Sequence, residues 1–282
     1  MRSLAPAATL GPGAPSRSDT PRRAALALKR AAGLWVAVAV AGQLLFALYV
    51  AGFYGRSAVT GNLAAWGTVM PKGWVPGDTV GNTVLASHLL LALVITLGGL
   101  VQLAPWVRRR APAIHRWVGR AYMVAALAAS VGGLFLVWVR GSVGGTGQHL
   151  GVSFNAVLIV VCVMLAWRAA RARAFADHRR WALRLYLVGS GVWFFRVGLM
   201  LWLVIHQRPV GFDPQTFRGP FLVALSFAQT LVPLAVLELY FAAQARGGPG
   251  VRLAVAAGLV LLAIATGVGV AGATLGMWLP RL

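Results

Sequence analysis

Seven apolar runs, each long enough to cross a bilayer, govern what this 282-residue chain can fold into. They cover approximately residues 32–53, 83–106, 118–139, 149–168, 182–205, 219–243 and 253–278. At about 1.5 Å of rise per residue, a helix of about twenty residues crosses a hydrocarbon core of about 30 Å. Lipid offers no partner to a backbone N–H or C=O, so runs of this length predict helices. The expectation is an all-α membrane protein with seven transmembrane helices, in which spans two to five form a central four-helix bundle. Composition agrees, because 59% of residues are hydrophobic and only 11% charged, against roughly 45–50% and about 25% in soluble domains.

The charges set the expected orientation. Lys and Arg number 26 against 5 acids, a net +21 that would suit a nucleic-acid partner if it were spread over a soluble surface. Instead the cations stand in short clusters between the apolar runs, where membrane topology and anionic lipid account for them, so no nucleic-acid partner is expected. Nineteen fall in the N-terminal tail and in the segments 107–120, 168–184 and 244–252. Six lie at the opposite ends of the spans, and Arg196 alone lies inside one. The positive-inside bias therefore predicts a cytoplasmic N-terminus, an external C-terminus and residence in a bacterial inner (plasma) membrane, with anionic head groups as partners on the cytoplasmic side. Residues 1–30, rich in Ala, Pro, Gly, Ser and Arg, read as a disordered cytoplasmic tail, leaving 31–282 as the transmembrane domain. The connection 54–82, with Trp66 and Trp74, reads either as a connector resting at the head groups or as an interfacial lid. Gly267, Gly269 and Gly272 spell G-x-G-x-x-G, but inside an apolar run and without a preceding strand the spacing predicts close helix packing.

Polar residues inside or at the ends of spans are the functional candidates. His88 lies about six residues below the outer end of span two, and His149 opens span four; His115 and His178 precede spans three and five at the inner side. Facing histidines can clamp a haem iron, and a helical bundle can hold that cofactor. As metal ligands, His88 would pair with His149 and His115 with His178. Arg116, Arg120 and Arg184 would anchor the propionates, and Tyr122, on the face of His115, could hydrogen-bond the cofactor edge. His115 and His178 also read as solvated interfacial residues in basic loops and His149 as a loop residue, whereas His88, well inside a span, resists that reading. Arg196 lies about 21 Å along span five, counted from its inner end, and Gln229, Asn155 and His88 reach a similar depth by count. Such a layer could bind a small anion or a lipid head group. Glu238 lies too near the inner end to neutralise Arg196.

Several of these residues occur in a recognisable order. His88, Gln102-Leu103-Ala104-Pro105, His115-Arg116-Trp117-Val118-Gly119-Arg120-Ala121-Tyr122 and His178-Arg179-Arg180-Trp181, followed by Arg184 and Arg196, together resemble the bacterial multi-pass membrane family known as domain of unknown function 2306. The likeness runs over about residues 83–205. It implies membrane residence and the same fold, and it marks His88, His115, Arg116, Gly119, Arg120, Tyr122, His178, Arg184 and Arg196 without assigning an activity. More distantly, the alternation of outer and inner histidines is similar to that of di-haem transmembrane cytochromes b. Two functions stay open. One is a b-type haem electron carrier with a quinol or other redox partner. The other is a cofactor-free transporter or sensor that binds an anion or lipid head group near Arg196 and His88.

Overall fold

The computed structural model describes residues 19–70, 72–142 and 144–282, and among them every regular element is a helix, with no strand and one isolated bridge between Asp213 and Arg218. Six stretches form long apolar helices that can cross a membrane: α1 (Asp19–Tyr49) with its continuation to Val59, α3 (Thr79–Leu103), α5 (Pro112–Trp138), α6 (Thr146–Arg171), α9 (Pro220–Arg246), and α10 (Pro249–Ala273) with its continuation to Arg281. Short helices α2 (Arg56–Val59) and α4 (Pro105–Arg110) complete the connections. Helix starts follow local chemistry. Asp78 caps α3 by accepting the Gly81 N–H at 2.8 Å. Proline opens α4, α5, α9 and α10, where its missing N–H costs nothing.

The fifth span departs from expectation. In place of one helix over 182–205 there are two, α7 (Phe175–Gly189) and α8 (Gly191–His206), bent by 53° at Ser190. Gly-Ser combinations are a common cause of such kinks, and here both flanking glycines are required by close neighbours. A Cβ on Gly189 would sit 2.7 Å from the Tyr122 hydroxyl, and one on Gly191 would sit 3.0 Å from Asn155 Nδ2. Two further expectations change. Residues 1–18 of the expected tail lie outside the described residues, but from Asp19 onward the chain is already α1, so helix begins well before residue 31. Trp66 does not rest at a lipid surface: it is buried edge-on against Tyr54, with ring centroids 5.7 Å apart.

Helix neighbours form a closed cycle, α1–α3–α5–α6–α9–α8–α10 and back to α1, with α7 lying against α6 and α9. The glycines of α10 explain how closely it approaches α8. A Cβ on Gly269 would lie 2.5 Å from the Val197 carbonyl oxygen, and one on Gly272 would lie 2.9 Å from Val204. The glycine spacing read from the sequence as a packing face is therefore a packing face. At the Val59 end of α1 an aromatic cluster of Phe46, Tyr49, Tyr54, Trp66 and Trp278 forms the main buried core. Toward the opposite end, Tyr122, Leu185 and Val188 form a second core.

Candidate functional site

The cycle of helices does not pack solid. Between α1, α3, α5, α6 and the α7–α8 bend lies a cavity of about 390 Å³, within the size range of small-molecule sites. Met70 and Lys72 of the 60–78 connection, with Arg140 and Gly141 just beyond α5, line its mouth. Arg140 is neutralised there: its Nε donates to Asp78 Oδ2 at 2.9 Å and its Nη2 to Asn82 Oδ1 at 2.6 Å. Lys72 donates to the Arg140 carbonyl at 2.6 Å.

About halfway down the bundle the lining includes His88, Asn155 and Arg196. His88 rests on α5 where glycine removes the side chains: a Cβ on Gly133 would lie 3.3 Å from its Cε1. Its Nδ1 is buried without a hydrogen-bond partner, as is Nε1 of the neighbouring lining residue Trp193. The Arg196 guanidinium lies 5.4 Å from the Phe46 ring centroid and reaches the Val192 carbonyl of its own helix at 3.4 Å. Among the described residues it forms no ion pair, and no carboxylate lines the cavity.

The bend is held by Gln43, Tyr186 and Ser190, which the sequence reading did not weigh, and by Asn155, which it did. Gln43 of α1 donates to Ser190 Oγ at 3.0 Å and accepts from the Tyr186 hydroxyl at 2.9 Å, while Ser190 Oγ donates to the Tyr186 carbonyl at 2.8 Å. Asn155 donates to the Val188 carbonyl at 3.0 Å and to Thr230 Oγ1 at 2.7 Å, satisfying a carbonyl beside the break. Gln43 could have been found by the depth count that found Asn155, since it is a fully amide-bearing side chain well inside the first apolar run.

Of the expected layer, then, His88, Asn155 and Arg196 meet at the cavity. Gln229 does not join them. It is buried on α9, bonded to the Ser226 carbonyl at 2.9 Å, and is not part of the lining. Depth along a helix was counted correctly, but the direction in which a side chain points depends on how the helix is rotated against its neighbours.

The other histidines lie elsewhere. His149, in the first turn of α6, packs edge-on to Trp138 with centroids 5.5 Å apart and is outside the lining. A bis-histidine haem in this cavity needs a second imidazole facing His88, and His88 is the one histidine among the lining residues, so the expected His88–His149 pair is not brought together here. At the far end His115 Nδ1 is buried without a partner, and His178 Nδ1 lies 2.9 Å from the Ala166 carbonyl. Arg116 is exposed, and Arg120 stacks 5.0 Å from the Trp117 ring. Arg184 is taken by Glu238, Nε to Oε1 at 2.8 Å, and stacks 4.5 Å over Trp181. Tyr122 is fully enclosed. Among the described residues no three His, Cys, Asp or Glu side chains converge on a common point.

The signature over 115–122 has a packing explanation. Gln102 of α3 donates to the His115 carbonyl at 2.9 Å, and Gly119 leaves room for its amide, since a Cβ there would lie 3.3 Å from Oε1. One turn further, Gly98 and Gly99 face Tyr122. His115, Gly119 and Tyr122 thus lie along one seam between α3 and α5.

No curated protein and no solved structure matches the chain, and nothing found supports the more distant likeness to di-haem cytochromes. A family model does match, over residues 85–242, more than half of the chain and including the α3–α5 seam, the bend and Arg196. The chain is an integral membrane protein and belongs to the family described as predicted membrane protein, DUF2306.

Proposed function

We propose that this protein binds a small organic anion inside the membrane, as a transporter or sensor, with Arg196 as the charged contact. The observation that carries the reading is an unpaired guanidinium in a cavity whose lining contains no acid. An unbalanced charge at such depth is costly, and a bound anion removes the cost. His88 Nδ1, buried without a partner, adds a second polar atom at the same level. The mostly apolar lining favours an anion with an organic body over a bare inorganic ion.

The lysine and arginine bias supports a cytoplasmic N-terminus in a bacterial inner membrane and a mouth open to the outer side, while the lining supports spans two to five as the larger part of the cavity wall, with α1 completing it. Gln215→Cys in the 207–219 connection should then react with an impermeant thiol reagent in intact cells, while Ala113→Cys should not. The reverse pattern overturns this orientation. Anionic head groups on the cytoplasmic side remain the expected lipid partners, since Arg109, Arg116, Arg179 and Arg180 are all exposed.

Binding is tested with purified protein in lipid nanodiscs, following thermal unfolding as hexanoate or uncharged hexanol is added. A ligand that binds only the folded state raises its stability. Hexanoate should stabilise the wild type, hexanol should not, and Arg196→Leu should abolish the response. An equal response to hexanol, or an undiminished response in Arg196→Leu, overturns the reading.

A further inference from the structure

The way polar groups are satisfied along the cavity constrains the ligand's body and its direction. At the level of Arg196 two of them are open, while Asn155 is held by the Val188 carbonyl and Thr230: the guanidinium has no ion pair among the described residues, and His88 Nδ1 has no partner. Deeper, each polar side chain already has one. Thr96 Oγ1 donates to the Ala92 carbonyl and Ser130 Oγ to the Ala126 carbonyl, both at 2.8 Å. Gln43 and Ser190 are held by one another and by Tyr186. What the deep end offers a ligand is therefore the apolar surface of Ala92, Ile95, Ala126 and Ile159. From His88 to Thr96 it follows α3 for eight residues, about 12 Å. It closes where Tyr122 and Tyr186 pack onto Gly99, each within 3.3 Å of where a Cβ would stand. Toward the mouth the lining is mixed: Leu85, Leu136 and Val137 are apolar, but it ends at Lys72 and Arg140, where an alkyl tail would meet charges and displace their water.

We infer that the ligand is an alkyl monocarboxylate, its carboxylate on Arg196 and its chain pointing away from the mouth into the blind apolar end. This rests on the anion-binding reading above. One planar guanidinium suits one carboxylate, which it can grip with two parallel hydrogen bonds. The unpaired charge at this level is a single positive one, which a monoanion balances.

The experiment titrates acetate, butyrate, hexanoate and octanoate against nanodisc-embedded wild type, Ala92→Leu, Ile95→Ala and Arg196→Leu, with affinities referred to the free acid in water. Wild-type affinity should rise about fourfold per methylene until the blind end is full. Ala92 lies one helical turn below His88 on the same face, so Ala92→Leu should weaken octanoate at least tenfold and leave acetate unchanged. Ile95→Ala, which enlarges the same end, should move the best chain length upward. Affinity independent of chain length, equal weakening of acetate and octanoate by Ala92→Leu, or an unmoved optimum in Ile95→Ala overturns the orientation. If Arg196→Leu still abolishes binding in that case, the anion site itself stands. Failure of the wild type to bind any of these acids overturns both.

Discussion

Two arginines of the bent fifth span, Arg184 on α7 and Arg196 on α8, are treated in opposite ways. Arg184 on α7 meets Glu238 of α9 at 2.8 Å and lies between the rings of Trp181 and Phe241, at 4.5 and 5.7 Å. Arg196 on α8 has a ring at 5.4 Å, a long bond to its own backbone and, among the described residues, no acid. The first arginine is complete within the chain, whereas the second has no counter-charge among the described residues. The contrast teaches that an arginine at membrane depth does not by itself mark a site; an unpaired one facing a cavity does.

Exchanging each arginine for leucine should break the two halves apart most sharply. Arg196→Leu should remove hexanoate binding while leaving the unfolding temperature of the ligand-free protein unchanged or raised, because an uncompensated charge is replaced by an apolar group. Arg184→Leu should do the reverse: binding persists, and stability falls by about 1–2 kcal/mol as both the pair with Glu238 and the stacking on Trp181 and Phe241 are lost. Thermal unfolding with and without hexanoate reads both. If the Leu variants behaved alike, the distinction between a structural and a ligand-facing arginine would be lost.

The clamp on the bend comes next. Gln43 joins α1 to α7 and to the break itself, so Gln43→Leu strands the Tyr186 hydroxyl in an apolar environment and leaves Ser190 Oγ only its bond to the Tyr186 carbonyl. Interhelical hydrogen bonds in membranes average about 0.6 kcal/mol, and a buried orphan adds to that. A loss of about 1 kcal/mol is expected. Because the bend also shapes the cavity, hexanoate affinity should fall in step. A stability loss with unchanged affinity would show that the bend is independent of the site.

The sequence made one coordinate of this architecture readable and left the other dark. Counting residues from the ends of apolar runs placed Arg196, Asn155 and His88 at one depth, and the three do share a cavity. The same count placed Gln229 with them, but Gln229 points elsewhere, because rotation about a helix axis is set by packing that no single run reveals. It also separated Glu238 from Arg196, in keeping with the Arg184 pairing, yet it could not name Arg184 because that contact depends on α7 lying against α9. The bend was hidden by hydropathy: 182–205 is continuously apolar, and Gly189-Ser190-Gly191 was the local signal within it. The family signature marked residues that matter, and around His115, Gly119 and Tyr122 what it marks is the fit of α3 against α5.

The mildest change probes what kind of completeness Arg184 enjoys. Glu238→Gln removes the charge but keeps an oxygen able to accept from Arg184 Nε. The Arg184 side chain is 19% exposed and that of Glu238 is 51% exposed, so water screens much of their attraction. Pairs of this kind contribute at most about 1 kcal/mol, and the retained hydrogen bond and ring stacking hold part of it. The expected loss is therefore about 0.5 kcal/mol, smaller again at high salt, measured by thermal unfolding beside Arg184→Leu and the double variant. If Glu238→Gln instead cost as much as Arg184→Leu, the carboxylate charge alone would be holding Arg184. The two arginines would then differ only in where their counter-charge comes from, one from α9 and the other from the ligand.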